Sequence, residues 1–205
     1  MTLKELDAQL NLQYIPIPSG KRNRPGGKTT KTSITIHNTS NTGKGAHALA
    51  HSAWVNNTGF YWLKDKNGKP IKKNYVSWHY TVDELRVVKH LPVHEHAIHS
   101  GKAEGNKTSI GIEICMNSDM DFAKASDRAA KLVAVLMKAL DIPLSAVYTH
   151  YDWTGKKCPA LMLDGGQPGA KWDSFKAKVM EYVNAVSGPK PAEESEPDPG
   201  DLQPE

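Results

Sequence analysis

Between Tyr148 and Pro159 the chain offers one imidazole, His150, and one thiol, Cys158, with Lys156 two residues before the thiol. Histidine and cysteine are the preferred protein ligands of zinc. Gly155 lies between them and allows the backbone to turn, so that both ends can face one point. A lysine this close in sequence favours the thiolate, the form of cysteine that binds metal. Two ligands do not make a site. The strongest third candidate is His37, in the run Ser33-Ile34-Thr35-Ile36-His37-Asn38-Thr39. A histidine at the end of an apolar strand is by itself more often a hydrogen-bonded core residue; the motif at 150–158 raises its standing. Three protein ligands with a fourth position open to water is the arrangement of a catalytic zinc. The working expectation is a zinc hydrolase.

Such a site needs rigid elements behind it. Ser33 to Asn38 alternates Ile34 and Ile36 with Thr35 and His37, the period of a strand. Ser109 to Met116 is the strongest strand pattern: Ile110, Ile112 and Ile114 line one face, and Gly111, Glu113 and Cys115 the other. A glutamate in so apolar a run must be solvated at a cavity, paired or hydrogen-bonded, because burying it alone is costly. A cleft is the favoured reading, with Glu113 taking a proton from water and returning it to a leaving amine. Leu144 to Thr149 reads as a short strand that feeds His150. Asp121 to Asp141 reads as a long helix with Pro143 beyond its end, and Trp172 to Val186 as a last amphipathic helix. Ala46 to Asn56 reads as a helix with an apolar stripe of Ala46, Leu49, Ala50, Ala53 and Trp54. His47 and His51 share a face of it, but Ala48 stands where a metalloprotease helix needs its glutamate, so they are read as surface or substrate-facing.

The remaining stretches are less ordered in pattern. Residues 1–32 read as a short helix and an irregular, basic lead-in, and Gly59 to Val76 as a loop-like insertion with an Asn67-Gly68 turn. Ser77 to Asp83 and Arg86 to Leu91 read as two strands joined near Glu84. Of His90, His94, His96 and His99, most are expected in solvent; His99, before Ser100-Gly101, is kept as a site candidate.

The chain has 205 residues, enough for one well-buried domain and a tail. Residues 1–187 are read as the catalytic domain. Residues 188–205 are rich in Pro, Glu, Asp and Ser and are read as a disordered acidic tail or linker. The net charge of +4 therefore understates a basic body, which suits an anionic partner. No apolar run approaches the ~18 residues of a membrane span, and Met1 to Leu10 does not read as a secretory signal. No nucleic-acid motif accompanies the charge. Cys115 is expected to be free and buried, and Cys158 to bind metal.

Ile34-Thr35-Ile36-His37-Asn38-Thr39, Ser77-Trp78-His79-Tyr80, Ser109-Ile110-Gly111-Ile112-Glu113 and His150-Tyr151-Asp152-Trp153 with Lys156 and Cys158-Pro159 occur in this order. The ordered set closely resembles the zinc-dependent N-acetylmuramoyl-L-alanine amidases, the family shared by lysins and peptidoglycan recognition proteins. It is most similar to the amidase domains of Bacillus phage and prophage lysins. The resemblance implies an α/β fold, a central mixed sheet flanked by helices with a zinc cleft on one side. It implies zinc on His37, His150 and Cys158, catalysis by Glu113 and Lys156, and substrate contacts at Trp78, His79 and His99. Some members carry a catalytic tyrosine where this chain has Trp78, which leaves Glu113 more of the proton transfer. The partner implied is peptidoglycan, cut between N-acetylmuramic acid and L-alanine by a monomer made in the host cytoplasm that reaches the wall after release. A non-catalytic peptidoglycan-binding module is the competing expectation; such modules tend to lose a zinc ligand, and all three are present.

Overall fold

A computed structural model describes residues 1–186. In chain order the elements are α1 (Leu3–Ala8), β1 (Leu12–Tyr14), β2 (Ser33–Asn38), α2 (Ala48–Asn57), β3 (Phe60–Lys64), β4 (Pro70–Tyr75), β5 (Tyr80–Val82) and β6 (Val87–Lys89). There follow α3 (Ala103–Thr108), β7 (Ser109–Ile114), α4 (Phe122–Leu140), β8 (Val147–Thr149), α5 (His150–Thr154) and α6 (Ala170–Ala185). Six strands form one mixed sheet in the order β1-β6-β5-β7-β2-β8, and β3 and β4 form a separate hairpin. The expected α/β architecture, a central mixed sheet with flanking helices, is what the chain adopts. The tail expected at 188–205 lies outside the described residues.

The isoleucine alternation determines how the sheet is oriented. Ile34, Ile36, Ile110, Ile112 and Ile114 are fully buried in one core with Leu6 of α1, the inner face of α4, and Trp172, Phe175 and Val179 of α6. Each such side chain stabilises the fold by about 1.5–3 kcal/mol relative to exposure. A one-residue slip would exchange the two faces of a strand, so the same isoleucines hold Thr35, His37, Gly111 and Glu113 on the opposite face. The three strands β7, β2 and β8 are parallel, with His37 opposite Glu113 and Ile36 opposite Thr149. The next residue after Thr149 is His150, so His37, Glu113 and His150 reach the same carboxyl-terminal edge of the sheet. In open α/β sheets that edge is where ligands bind.

The helix ends follow local chemistry. Asp121 caps α4 by accepting from the Lys124 amide, and Asp141 ends it in the left-handed conformation. A capping box starts α5 at Thr149: its hydroxyl accepts from the Asp152 amide, while the Asp152 carboxylate accepts from the Thr149 amide.

Several expectations need correction. Gly59 to Val76 is an antiparallel hairpin and not a loop. Asp65 Oδ1 accepts from the amides of Asn67 and Lys69, both at 2.9 Å, and Gly68 takes φ +81°. This side-chain-made turn joins two runs rich in strand formers. Within the lead-in, Leu12–Tyr14 adds a parallel edge strand to β6. The residues of α2 that are buried are Ala48, His51, Ser52 and Val55, while Ala50, Ala53 and Trp54 are exposed. The apolar stripe read from the pattern is thus largely the outward face. His90 is completely buried, not solvated. Leu144–Ala146 is a turn of 3-10 helix, and only Val147–Thr149 is strand.

Candidate metal centre and cleft

His37, His150 and Cys158 converge. One ligand atom from each lies within 4.8 Å of the other two, and all three residues are buried. His37 Nδ1 is 3.0 Å from His150 Nδ1 and 3.8 Å from Cys158 Sγ. A tetrahedral zinc with bonds of ~2.0–2.1 Å to nitrogen and ~2.3 Å to sulfur separates such donors by ~3.3–3.6 Å. The donor set and its spacing fit zinc. Among the described residues it is the one cluster of three such side chains able to hold a metal ion.

The local backbone explains how Cys158 reaches His150. After α5, Gly155 takes φ +73° and reverses the chain. The Tyr151 amide then donates to the Cys158 carbonyl at 3.1 Å, closing the loop. Asn38, which sequence reasoning passed over, ties the other side. Its Nδ2 donates to the Ile114 carbonyl at 3.3 Å, and its Oδ1 accepts from the Leu161 amide at 3.0 Å, holding the segment after Cys158 against β2.

Protonation follows burial. The His37 imidazole is held well below its ordinary range by burial, with His99, His150 and Lys156 adding to the effect. His150 is pushed down to about 4 by burial and then Lys156. Both therefore present lone pairs at neutral pH, as metal ligands must. Cys158 runs against expectation. Burial, reinforced by Glu113, pushes its thiol up to about 12, and the opposing effect of Lys156 is smaller. The lysine alone does not make the thiolate; a coordinated dication would.

Glu113 sits beside His37 in register, and its Oε2 is buried without a hydrogen-bond partner. Burial pushes its carboxyl up to about 7, against the pull of Lys156. A carboxyl poised near neutrality at a cleft wall can both accept and return a proton. Lys156 is exposed and lines the same cleft.

That cleft has a volume of about 1030 Å³, and its lining includes the three convergent side chains, Glu113, Lys156 and His99. One wall is aromatic: Trp54 and Trp78 stack at 6.2 Å with planes 13° apart, and Tyr61 of β3 lies beyond. Trp78 is therefore at the cleft, with its indole N–H donating to Thr81 Oγ1 at 2.7 Å. His79 is not on the cleft lining. It is completely buried; its Nδ1 accepts from the Gly111 amide at 3.0 Å and its Nε2 donates to the Glu95 carbonyl at 3.1 Å. Substrate contact, expected for all three of Trp78, His79 and His99, has no route to His79 here. Trp54 and Asn38 are site residues that sequence reasoning missed. Trp54 had a signal, a large aromatic on the exposed face of a helix, where it has no core to fill.

A family model described as N-acetylmuramoyl-L-alanine amidase matches residues 27–161. The N-acetylmuramoyl-L-alanine amidase XlyA of Bacillus subtilis is 42% identical over 165 residues, which cover 80% of this chain and 49% of that protein. The amidase CwlH of the same organism is 41% identical over 162 residues, 78% of this chain and 57% of that protein. The chain thus spans about half the length of the curated relatives it matches. A solved mutant endolysin from Bacillus subtilis superposes with TM-score 0.71 at 41% identity, covering 83% of this chain and 99% of that one. With sequence, fold and the His/His/Cys cluster in agreement, the chain belongs to the N-acetylmuramoyl-L-alanine amidase family.

Proposed function

We propose that this chain is a zinc-dependent peptidoglycan amidase that hydrolyses the bond between the lactyl group of N-acetylmuramic acid and L-alanine. The observation that carries the reading is the meeting of His37, His150 and Cys158 on the lining of a cleft, with Glu113, whose Oε2 has no hydrogen-bond partner, on the same lining. His37, His150 and Cys158 would hold zinc, which when bound polarises a carbonyl and acidifies water. Glu113 takes the proton of the attacking water and returns it to the departing alanine nitrogen. Lys156, exposed at the cleft mouth, stabilises the negative charge that develops on the carbonyl oxygen. Trp54 and Trp78 offer a flat apolar wall against which a sugar or peptide face can pack. The basic body matches the anionic wall. The names of the amidase and endolysin relatives support peptidoglycan as the substrate.

The test is digestion of purified Gram-positive walls. The expected products carry new amino-terminal alanine, and a zinc chelator abolishes their release. Glu113→Ala is expected to stop release while retaining about one zinc per chain. New reducing sugar ends without new amino-terminal alanine would show that a different bond is cut.

A further inference from the structure

His99 lines the cleft and also contacts His37 on the side away from His150 and Cys158. Its Nε2 is 3.3 Å from the Ser109 carbonyl, and its Nδ1 is 3.0 Å from His37 Nε2. A carbonyl oxygen only accepts, so His99 Nε2 carries the proton in that contact. A neutral imidazole has one N–H, so His99 Nδ1 presents a lone pair. His37 Nε2 must then donate to it. The remaining nitrogen of His37, Nδ1, is left bare, and it is the one that faces His150 and Cys158.

The surroundings of His99 hold it in this pose. Asn106 Oδ1 accepts from the amides of His99 and Ser100, both at 2.9 Å, and so shapes the turn that delivers the ring. A Cβ added at Gly111 would come within 2.7 Å of His99 Cγ, so the strand beneath the ring must be glycine. Neighbouring His79 meets the His99 ring edge-on at 6.1 Å.

We propose that His99 is a positioning residue: through the chain Ser109 carbonyl–His99–His37 it fixes His37 in the tautomer whose Nδ1 lone pair points into the cluster. Partners of this kind orient metal-bound histidines, and losing one typically costs about 10- to 100-fold in metal affinity. The tautomer itself does not depend on the zinc reading; its consequence for metal affinity rests on that reading.

Two measurements test it. Nitrogen-15 NMR of the chelator-treated protein is expected to show His37 protonated on Nε2 and bare on Nδ1, and His99 protonated on Nε2. A proton on His37 Nδ1 with Nε2 bare would overturn the inference. Zinc affinity by competition with a chromophoric chelator is then compared across variants. His99→Leu, which removes the acceptor, is expected to bind zinc about 10- to 100-fold more weakly. His99→Asn, whose side-chain oxygen can take the place of Nδ1, is expected to recover most of that loss. A folded His99→Leu protein with affinity within twofold of the parent overturns the proposal. If His99→Leu does not fold, the NMR result and Gly111→Ala, which displaces the ring without removing a ligand, carry the same decision. A protein that shows the expected tautomer but takes up no zinc leaves the positioning role standing and overturns the metal reading instead.

Discussion

Two regions of the same sheet bury imidazoles completely or nearly so, and they differ in what the nitrogens face. On the β5–β6 side, His79 engages one nitrogen with the Gly111 amide and the other with the Glu95 carbonyl. His90 beside it has Nε2 2.8 Å from the Thr81 hydroxyl, which already accepts from Trp78. On the β2–β8 side, His37 uses one nitrogen on His99 and turns the other toward His150 and Cys158. Burial and residue type are alike. What sets His37 apart is that one nitrogen is held by His99 and the other is aimed at two further potential ligand atoms, those of His150 and Cys158. His79, with backbone at both nitrogens, is a staple between strands.

The largest effect should come from removing a member of the converging set. His37→Ala and Cys158→Ala are expected to lower zinc affinity and wall hydrolysis by more than about 100-fold each, beyond the loss expected for a supporting residue. Metal analysis and turbidity assays check this; a folded variant that keeps both properties would erase the distinction between the regions. Glu113→Gln comes next, with an expected fall in turnover of about 100-fold or more and unchanged zinc content. His79→Gln should do the reverse, costing about 1–3 kcal/mol of stability through unsatisfied backbone groups while zinc affinity stays within about twofold. Chemical denaturation alongside chelator competition separates the two. Trp54→Ala should have the smallest effect, raising KM about 3- to 10-fold through loss of the aromatic wall, with kcat nearly unchanged.

One response should unite the two regions. In the metal-free protein, burial holds His37, His79, His90, His99 and His150 below the ordinary 6.5. The unfolded chain takes up protons at these positions near pH 6.5, whereas the folded chain resists, with His90 and His150 waiting until about 4. Their contribution to stability is therefore complete above pH 6.5 and is lost as the pH falls toward 4. Glu113, shifted up from 4.5 to about 7, acts in the opposite sense as one group against five. Urea midpoints of chelator-treated protein should fall steeply between pH 6.5 and 4.5. A flat profile would mean that these rings are not buried neutral.

Much of the positioning frame was legible because it rests on strict alternation. Ile34, Ile36, Ile110, Ile112 and Ile114 could lie on one face only, which put His37 and Glu113 on the other. The turn from His150 to Cys158 was legible through Gly155. What failed depended on tertiary context. In α2 small apolar residues occupy both faces, so periodicity could not tell the Ala48–Val55 side, which meets the body, from the Ala50–Trp54 side, which faces the cleft. The β3–β4 hairpin buries little on either face, so no clean alternation marked it. The short edge strand Leu12–Tyr14 has Leu12 and Tyr14 largely exposed, and it is held by backbone pairing with β6 that local sequence does not encode. His79 and His90 were misjudged because the backbone and hydroxyl partners that satisfy them come from elsewhere in the chain. The effect of Lys156 on Cys158 was overestimated because sequence proximity says nothing about burial.

The most direct test of the central claim is cobalt substitution. Cobalt(II) in place of zinc reports its own ligands through its absorption spectrum. The account predicts one cobalt per chain in a tetrahedral field, with a thiolate-to-metal charge-transfer band that disappears in Cys158→Ser. It also predicts that His37→Ala and His150→Ala each abolish stoichiometric uptake. A folded protein that takes up no cobalt, or whose charge-transfer band survives the loss of Cys158, would contradict a centre built from these three side chains.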